Sequence, residues 1–205
     1  MGKICYSVNY VNRNLDQFIN LLKKYQINCI IDIRENHNIE QIYSSFKRES
    51  IKKSLNNIGI YYIDMNREFS LKNGKYSFDD IVVNLDYKRG IERIISGIDK
   101  GYKIGLLCEE NTTKNYGKAS FVAYGLKKND VYVENIIDEE HVKSQKEIEE
   151  TFMKVYKIKL IKKVAELSIS NIMKNIDLDM DESDFKAEML EESYEINYKL
   201  LLEAL

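Results

Sequence analysis

The sequence predicts an α/β protein with a mainly parallel open sheet, helices on both faces, and a C-terminal helical extension. Three observations predict it. Apolar runs of strand length recur at Ile4–Val8, Cys29–Ile33, Ile60–Met65, Lys103–Cys108 and Val131–Ile136. Helical patterns separate them, and a buried run next to such a helix marks a βαβ unit whose strands are covered on both faces. From Ser144 onward apolar stripes continue at helical spacing with no further strand.

The first strand, Ile4–Val8, leads through the polar turn Asn9-Tyr10-Val11-Asn12 into a helix over Leu15–Tyr25. That helix carries Leu15, Phe18, Ile19 and Leu22 on one face, with Asn14 placed to cap its first turn. The second strand, Cys29–Ile33, runs straight into Asp32, Arg34 and Glu35, and a helix over Arg48–Asn57 follows, closed by Gly59. After the third strand, Ile60–Met65, come Asn66-Arg67-Glu68 and a turn-like segment, Ser70–Ser77, centred on Asn73-Gly74. A helix over Asp86–Lys100 carries Ile91, Ile94, Ile95 and Ile98 and ends at Gly101. The fourth strand then ends in Cys108-Glu109-Glu110, before a polar loop, a helix over Ala119–Lys128 and the strand Val131–Ile136. These elements form an α/β domain over 1–140. Residues 144–205 form a helical hairpin with stripes Ile148, Phe152, Val155 and Phe185, Met189, Ile196, Leu200. The stripes require burial on the sheet domain or on a second copy, which makes a homodimer through 144–205 the partner to consider.

Composition narrows the function. The 205 residues carry 31 basic and 33 acidic side chains, a net charge of -2, so bulk attraction to nucleic acid or to an anionic membrane is not expected. Proline is absent. The three cysteines are an odd number without C-x-x-C spacing, so neither a disulfide framework nor a thiolate metal site follows. The amino terminus, MGKICYSV, has no signal-peptide apolar region, and no stretch is long enough to span a bilayer. A cytoplasmic protein without membrane association is expected. The 9 glycines are scattered without a G-x-G-x-x-G or Walker pattern, which speaks against ATPase and dinucleotide chemistry. No cofactor is expected.

Several residues resemble a known family. They are Tyr6-Ser7-Val8, Asn12-Arg13-Asn14-Leu15 with Phe18, Asp32-Ile33-Arg34, Phe46, Tyr87 with Gly90, and Leu107-Cys108-Glu109-Glu110. In this order and spacing the chain resembles, from Ile4 to Ile136, the family catalogued as domain of unknown function 488. That family's hallmark is a Cys-x-Glu ending a strand and a Cys-His-Arg triplet beginning the next helix. Cys108 and Glu110 match the first part, whereas Tyr116, Gly117 and Lys118 occupy the triplet's positions, a degenerate form of the motif. The Gly-His-Ser that precedes Asn-Arg in the family is here Asn9, Tyr10 and Val11. With no settled activity in the family, the resemblance implies a fold and a site location, not a reaction.

In a parallel sheet the strand ends open onto one edge, where ligands bind. The residues there are Asn12, Arg13, Asp32, Arg34, Arg67, Glu68, Cys108 and Glu110. Arginine grips phosphate and carboxylate in two-pronged fashion, and helix N-termini beside it add backbone donors. The expected ligand is therefore an anion, a small nucleotide or a nucleic-acid phosphate. Asn12, Arg13, Arg34, Cys108, Tyr116 and Lys118 are the ligand-binding residues, and Glu110 or Asp32 is the acid or base if a reaction occurs. The competing reading is that Asp32, Glu110, Arg13 and Arg34 pair with one another to hold the loops. A nucleophilic Cys108 is disfavoured by the two glutamates after it.

Other patterns have simpler explanations. His37 and His141 lie in polar surroundings, so no metal site is expected. Tyr43, Lys47, Arg48, Lys52 and Lys53 read as a solvated helix face before they read as a single-strand platform. Asp177, Asp179, Asp181 and Glu188 match calcium-loop carboxylates, but Glu182 stands where the loop needs glycine. Enzymatic turnover, and an interaction protein working through its helical tail, remain the alternatives to a binding module.

Overall fold

The computed structural model of the chain describes residues 2–35, 41–71, 76–109, 117–157 and 182–203, with further positions at 159, 161–162 and 165–166. Its centre is a six-stranded sheet built from β1 (Lys3–Asn9), β2 (Cys29–Asp32), β3 (Tyr61–Asp64), β4 (Ile104–Cys108), β5 (Val131–Ile136) and β6 (Val142–Ser144), in the order β3-β2-β4-β1-β5-β6. The first five strands are parallel and β6 is antiparallel to β5. β2 and β4 are buried along their whole length, which is why both read as unbroken apolar runs.

The helices are α1 (Leu15–Lys24), α2 (Arg48–Asn57), α3 (Phe78–Val82), α4 (Leu85–Asp99), α5 (Gly117–Lys127), α6 (Gln145–Val155) and α7 (Glu182–Glu203), with a 3-10 turn at Gln41–Phe46 before α2. The α1 start matches the sequence reading: Asn14 accepts from the Gln17 N–H, and the Gln17 side chain answers the Asn14 N–H. Gly59, just past α2, has φ +78° with open space where a Cβ would sit, so the left-handed turn alone is what favours glycine at this helix end.

Two apolar layers flank the sheet. On one face Phe18, Leu21 and Leu22 of α1 pack with Ile51 and Leu55 of α2 over Val8, Ile30 and Leu107. On the other, Ile91 and Ile94 of α4 join Phe121, Val122 and Leu126 of α5 over Cys5, Ile31 and Leu106. This second layer continues into Ile148, Phe152, Tyr194, Tyr198 and Leu201: α6 packs on β5, β6 and α7, and α7 buries its inner face on the chain's own α5 and α6.

The details of that burial correct the sequence reading. Val155, expected in the first stripe, is 64% exposed, and Tyr156 takes its place in the core. In α7 the buried face is Tyr194, Asn197, Tyr198 and Leu201, whereas Met189, Ile196 and Leu200 are only partly covered and Phe185 is 41% exposed. Tyrosine and asparagine occupy this face because their polar ends are met. Tyr194 donates to Glu149 at 2.8 Å and accepts from Gln145 at 2.8 Å, while Asn197 accepts from the Tyr156 hydroxyl at 3.0 Å. The short strand β6 and the helix α3 also went unread; each is too short for a clear period.

Candidate functional site at the strand ends

Strand register brings the carboxyl ends into line. Asp64 lies beside Asp32, Asp32 beside Leu107, and Cys108 beside Asn9. Because β4 is inserted between β1 and β2, residues from distant parts of the sequence meet on one edge of the sheet. They form two groups.

The first group is a buried ionic web. Asp32 is fully buried and Arg34 is 2% exposed. The Arg34 Nε and one terminal nitrogen donate to the two Asp32 oxygens at 2.9 and 2.6 Å, and the other terminal nitrogen donates to the Phe46 carbonyl at 2.8 Å. Tyr62 on β3 donates its hydroxyl to Asp32 Oδ2 at 2.5 Å, and the Arg34 guanidinium lies 5.2 Å from the centre of the Tyr10 ring. Burial alone would raise the Asp32 carboxyl, but the hydrogen bonds and charge of Arg34 and the Tyr62 hydroxyl outweigh it and hold Asp32 below its ordinary value. Burial likewise works against the Arg34 cation, and Asp32 more than reverses it.

The web extends on both sides. Arg48 reaches Asp32 and Asp64 at 3.8 and 3.7 Å and donates to the Arg34 carbonyl at 2.6 Å. Lys118, 2% exposed near the start of α5, meets Glu35 at 2.5 Å, and the same Glu35 oxygen accepts from the Leu71 N–H. Three carboxylates and three cations therefore balance one another here. Cys108 donates its thiol to the Val8 carbonyl at 3.6 Å and is buried. Close by in sequence, the Ser120 hydroxyl is buried without a hydrogen-bond partner among the described residues.

The second group surrounds Arg13. Its guanidinium donates through one nitrogen to the Asn9 carbonyl and side-chain oxygen at 2.9 and 2.6 Å, and through the other to the Ile137 carbonyl. Arg13 thus ties the end of β1 to the end of β5. Asn12, in the left-handed region at φ 62°, donates its N–H to the Tyr43 hydroxyl. A cavity of about 340 Å³ opens here, lined by Asn9, Asn12, Arg13, Gln17, Asp138 and Glu139 among others. Among the described residues Arg13 has no carboxylate within ion-pair distance, and burial lowers its pKa, with the Asp138 charge opposing that.

Of the site residues read from sequence, Asp32, Arg34 and Lys118 belong to the web, and Asn12 and Arg13 to the cavity. Glu110, Tyr116 and His37 lie outside the described residues, as do Asn73-Gly74 and the Asp177–Asp181 carboxylates. Arg67 is exposed, and Glu68 pairs instead with Arg93 on α4. Lys47, Lys52 and Lys53 are exposed, while Arg48 turns inward. Sequence reasoning missed the roles of Glu35, Arg48 and Tyr62. Glu35 directly follows the charged strand end, which is a usable signal; Tyr62 has none, being one of two adjacent tyrosines in an edge strand.

The family described as domain of unknown function DUF488 matches residues 14–118, half of the chain, spanning α1 through the start of α5. The chain belongs to this family. The DUF488 match takes in Arg13's neighbour Asn14, the charged residues of the Asp32–Arg34 web including Lys118, and it ends before β5, α6 and α7. No curated protein and no solved structure matches the chain. Among the described residues no group of three His, Cys, Asp or Glu side chains is placed to hold a metal, and no helix is long and apolar enough to cross a membrane.

Proposed function

We propose that this DUF488 protein binds an anionic ligand of the nucleotide class at the carboxyl ends of its parallel strands, with Arg13 as the principal contact. The observation that carries the reading is the state of that side chain. A guanidinium has five N–H groups, and Arg13 directs three of them at neutral oxygens of Asn9 and Ile137. Its Nε–H and one terminal N–H remain for a ligand facing the cavity, and its charge has no close carboxylate among the described residues. Arg34, by contrast, is tied in two-pronged fashion to Asp32 and stiffens the floor of the same edge.

The cavity wall favours a nucleotide over a bare phosphate. Asp138 and Glu139 line it together with Arg13, and carboxylates accept from hydroxyl and amino groups but repel phosphate. Asp138 is already engaged by His141 and by the backbone N–H groups of Glu140 and His141. Glu139 is thus the better acceptor for a sugar hydroxyl or a base amino group. Turnover through Glu110 or Asp32, and partner binding through the tail, draw no comparable observation from the described residues.

A thermal-shift titration with AMP, ATP, inorganic phosphate and a short single-stranded DNA tests the proposal. At 100 times its dissociation constant a ligand adds about 2.7 kcal/mol, a shift of roughly 5–10 °C for a domain of this size. The expected result is a shift with a nucleotide that disappears in Arg13→Ala and shrinks in Glu139→Gln. An equal shift in Arg13→Ala, or none with any of these anions, overturns it.

A further inference from the structure

The Arg13 cavity holds a second donor without an acceptor. Asn9 is the last residue of β1, lines the cavity and is 4% exposed. Arg13 donates to its side-chain oxygen at 2.6 Å, which fixes the other end of that amide as the NH2 group. Among the described residues this NH2 group meets no acceptor, since Asn9 enters hydrogen bonds there through its two oxygens alone. Nor is it sealed in protein: the Ser120 hydroxyl is the one fully enclosed side-chain atom left without a partner among those residues. The Asn9 NH2 group therefore opens on the cavity. A buried amide nitrogen of this kind is costly unless a ligand or water accepts from it.

Gln17 repeats the pattern from α1. It is exposed and lines the same cavity, and its side-chain oxygen accepts from the Asn14 N–H at 2.9 Å in the capping box. Its NH2 group likewise has no acceptor among the described residues. Two amides whose oxygens are committed within the protein, beside an arginine with two N–H groups to spare, make a surface that donates and does not accept. Charge limits what that surface takes. Arg13 is the only cation among the residues lining the cavity, and Asp138 and Glu139 line it too. A first anionic group is attracted to the guanidinium; each further one on the same ligand meets two carboxylates with no second cation to offset them.

We infer that Asn9 and Gln17, with Arg13, select a single terminal phosphate, so that the cavity takes a nucleoside monophosphate and discriminates against triphosphates; this rests on the nucleotide reading of the Arg13 cavity. A phosphomonoester dianion offers three acceptor oxygens and no proton to donate, which matches a set of donors alone. A carboxylate, with two oxygens in one plane, leaves part of that set without an acceptor. Size points the same way. The cavity of about 340 Å³ lies near the lower end of small-molecule sites, about 300–1,000 Å³.

Isothermal titration with AMP, ATP, adenosine and ribose 5-phosphate, in magnesium-free buffer at about pH 8 where the monoester is a dianion, tests the inference. AMP binds with one site per chain, ATP binds roughly tenfold more weakly, and adenosine does not bind measurably. Ribose 5-phosphate as tight as AMP upholds the single-phosphate selection and makes the ligand a sugar phosphate. Gln17→Glu keeps the acceptor for the Asn14 N–H and exchanges the NH2 group for an oxygen, so it lowers AMP affinity roughly tenfold at unchanged melting temperature. Asn9→Asp keeps the oxygen that Arg13 holds and lowers AMP affinity further. Gln17 is exposed, so its variant decides the matter where Asn9→Asp fails to fold. ATP as tight as AMP, or full AMP binding by Gln17→Glu, overturns the inference and leaves Arg13 as an anion contact. No binding of AMP, ATP or ribose 5-phosphate overturns both readings.

Discussion

At the scale of the residue, the pairing of Asp32 with Arg34 decides how the strand ends respond to acid. Because Asp32 is held below its ordinary value in the fold, its contribution is complete above the unfolded carboxyl's pKa of about 3.9 and is lost as pH falls through the lower folded value. Asp32→Asn should therefore flatten the decline of stability with falling pH below about pH 4. At pH 7 it should also cost about 3–5 kcal/mol, since the Arg34 cation is left buried without its counterion. Urea unfolding from pH 7 to pH 2.5 measures both; an unchanged acid slope would mean that Asp32 does not titrate with folding. The abrupt charges after an apolar run made Asp32 and Arg34 legible in the sequence. Their partners were not, because the Phe46 carbonyl and the Tyr62 hydroxyl come from a turn and an edge strand whose positions only the folded sheet decides. Nor could the sequence distinguish an arginine closed onto a carboxylate from one left open, yet that difference separates Arg34 from Arg13.

At the scale of the element, α5 is the helix most tightly held, lying between the sheet, α4 and α7, and nearly every one of its residues is buried. It approaches α4 so closely that a methyl group on Gly125 would lie 2.4 Å from the Tyr87 hydroxyl and 2.8 Å from Ile91. That hydroxyl cannot easily move, since it donates to the Phe121 carbonyl at 2.9 Å. Two effects compete in Gly125→Ala. Helix propensity favours alanine by roughly 0.5–1 kcal/mol, and overpacking costs about 1–3 kcal/mol. The clash should win, with a net loss that Tyr87→Phe in the same chain partly restores; denaturant midpoints of the two variants check this. The strands and long helices were readable because their apolar periods run for several residues. The inner face of α7 was misread because its buried positions are tyrosine and asparagine, which look like surface until Gln145, Glu149 and Tyr156 supply their hydrogen bonds. A chain of such bonds continues from Gln145 through Asn135 to Ser7 on β1, linking the tail to the middle of the sheet.

At the scale of the whole molecule, the strand order β3-β2-β4-β1-β5-β6 has a consequence in time. β1 and β2 are the first strands made, yet they never touch. Each waits for β4, which is separated from β1 by about a hundred residues and wedges between them. Contacts this distant in sequence make folding slow, since the loop must close before the contact rewards it. A fragment of residues 1–102 contains three of the six strands and can pair only β2 with β3, so it should unfold without a cooperative transition. Extending it through the rest of the chain should restore one. Circular dichroism during urea titration distinguishes the two, and a sharp transition in the short fragment would show that the first three strands find another arrangement. On a ribosome the growing chain would thus carry β1 without any partner strand, and β2 with β3 alone beside it, until the stretch around Leu106 emerges. The strand that joins the two halves of the sheet is made after both of the strands it joins.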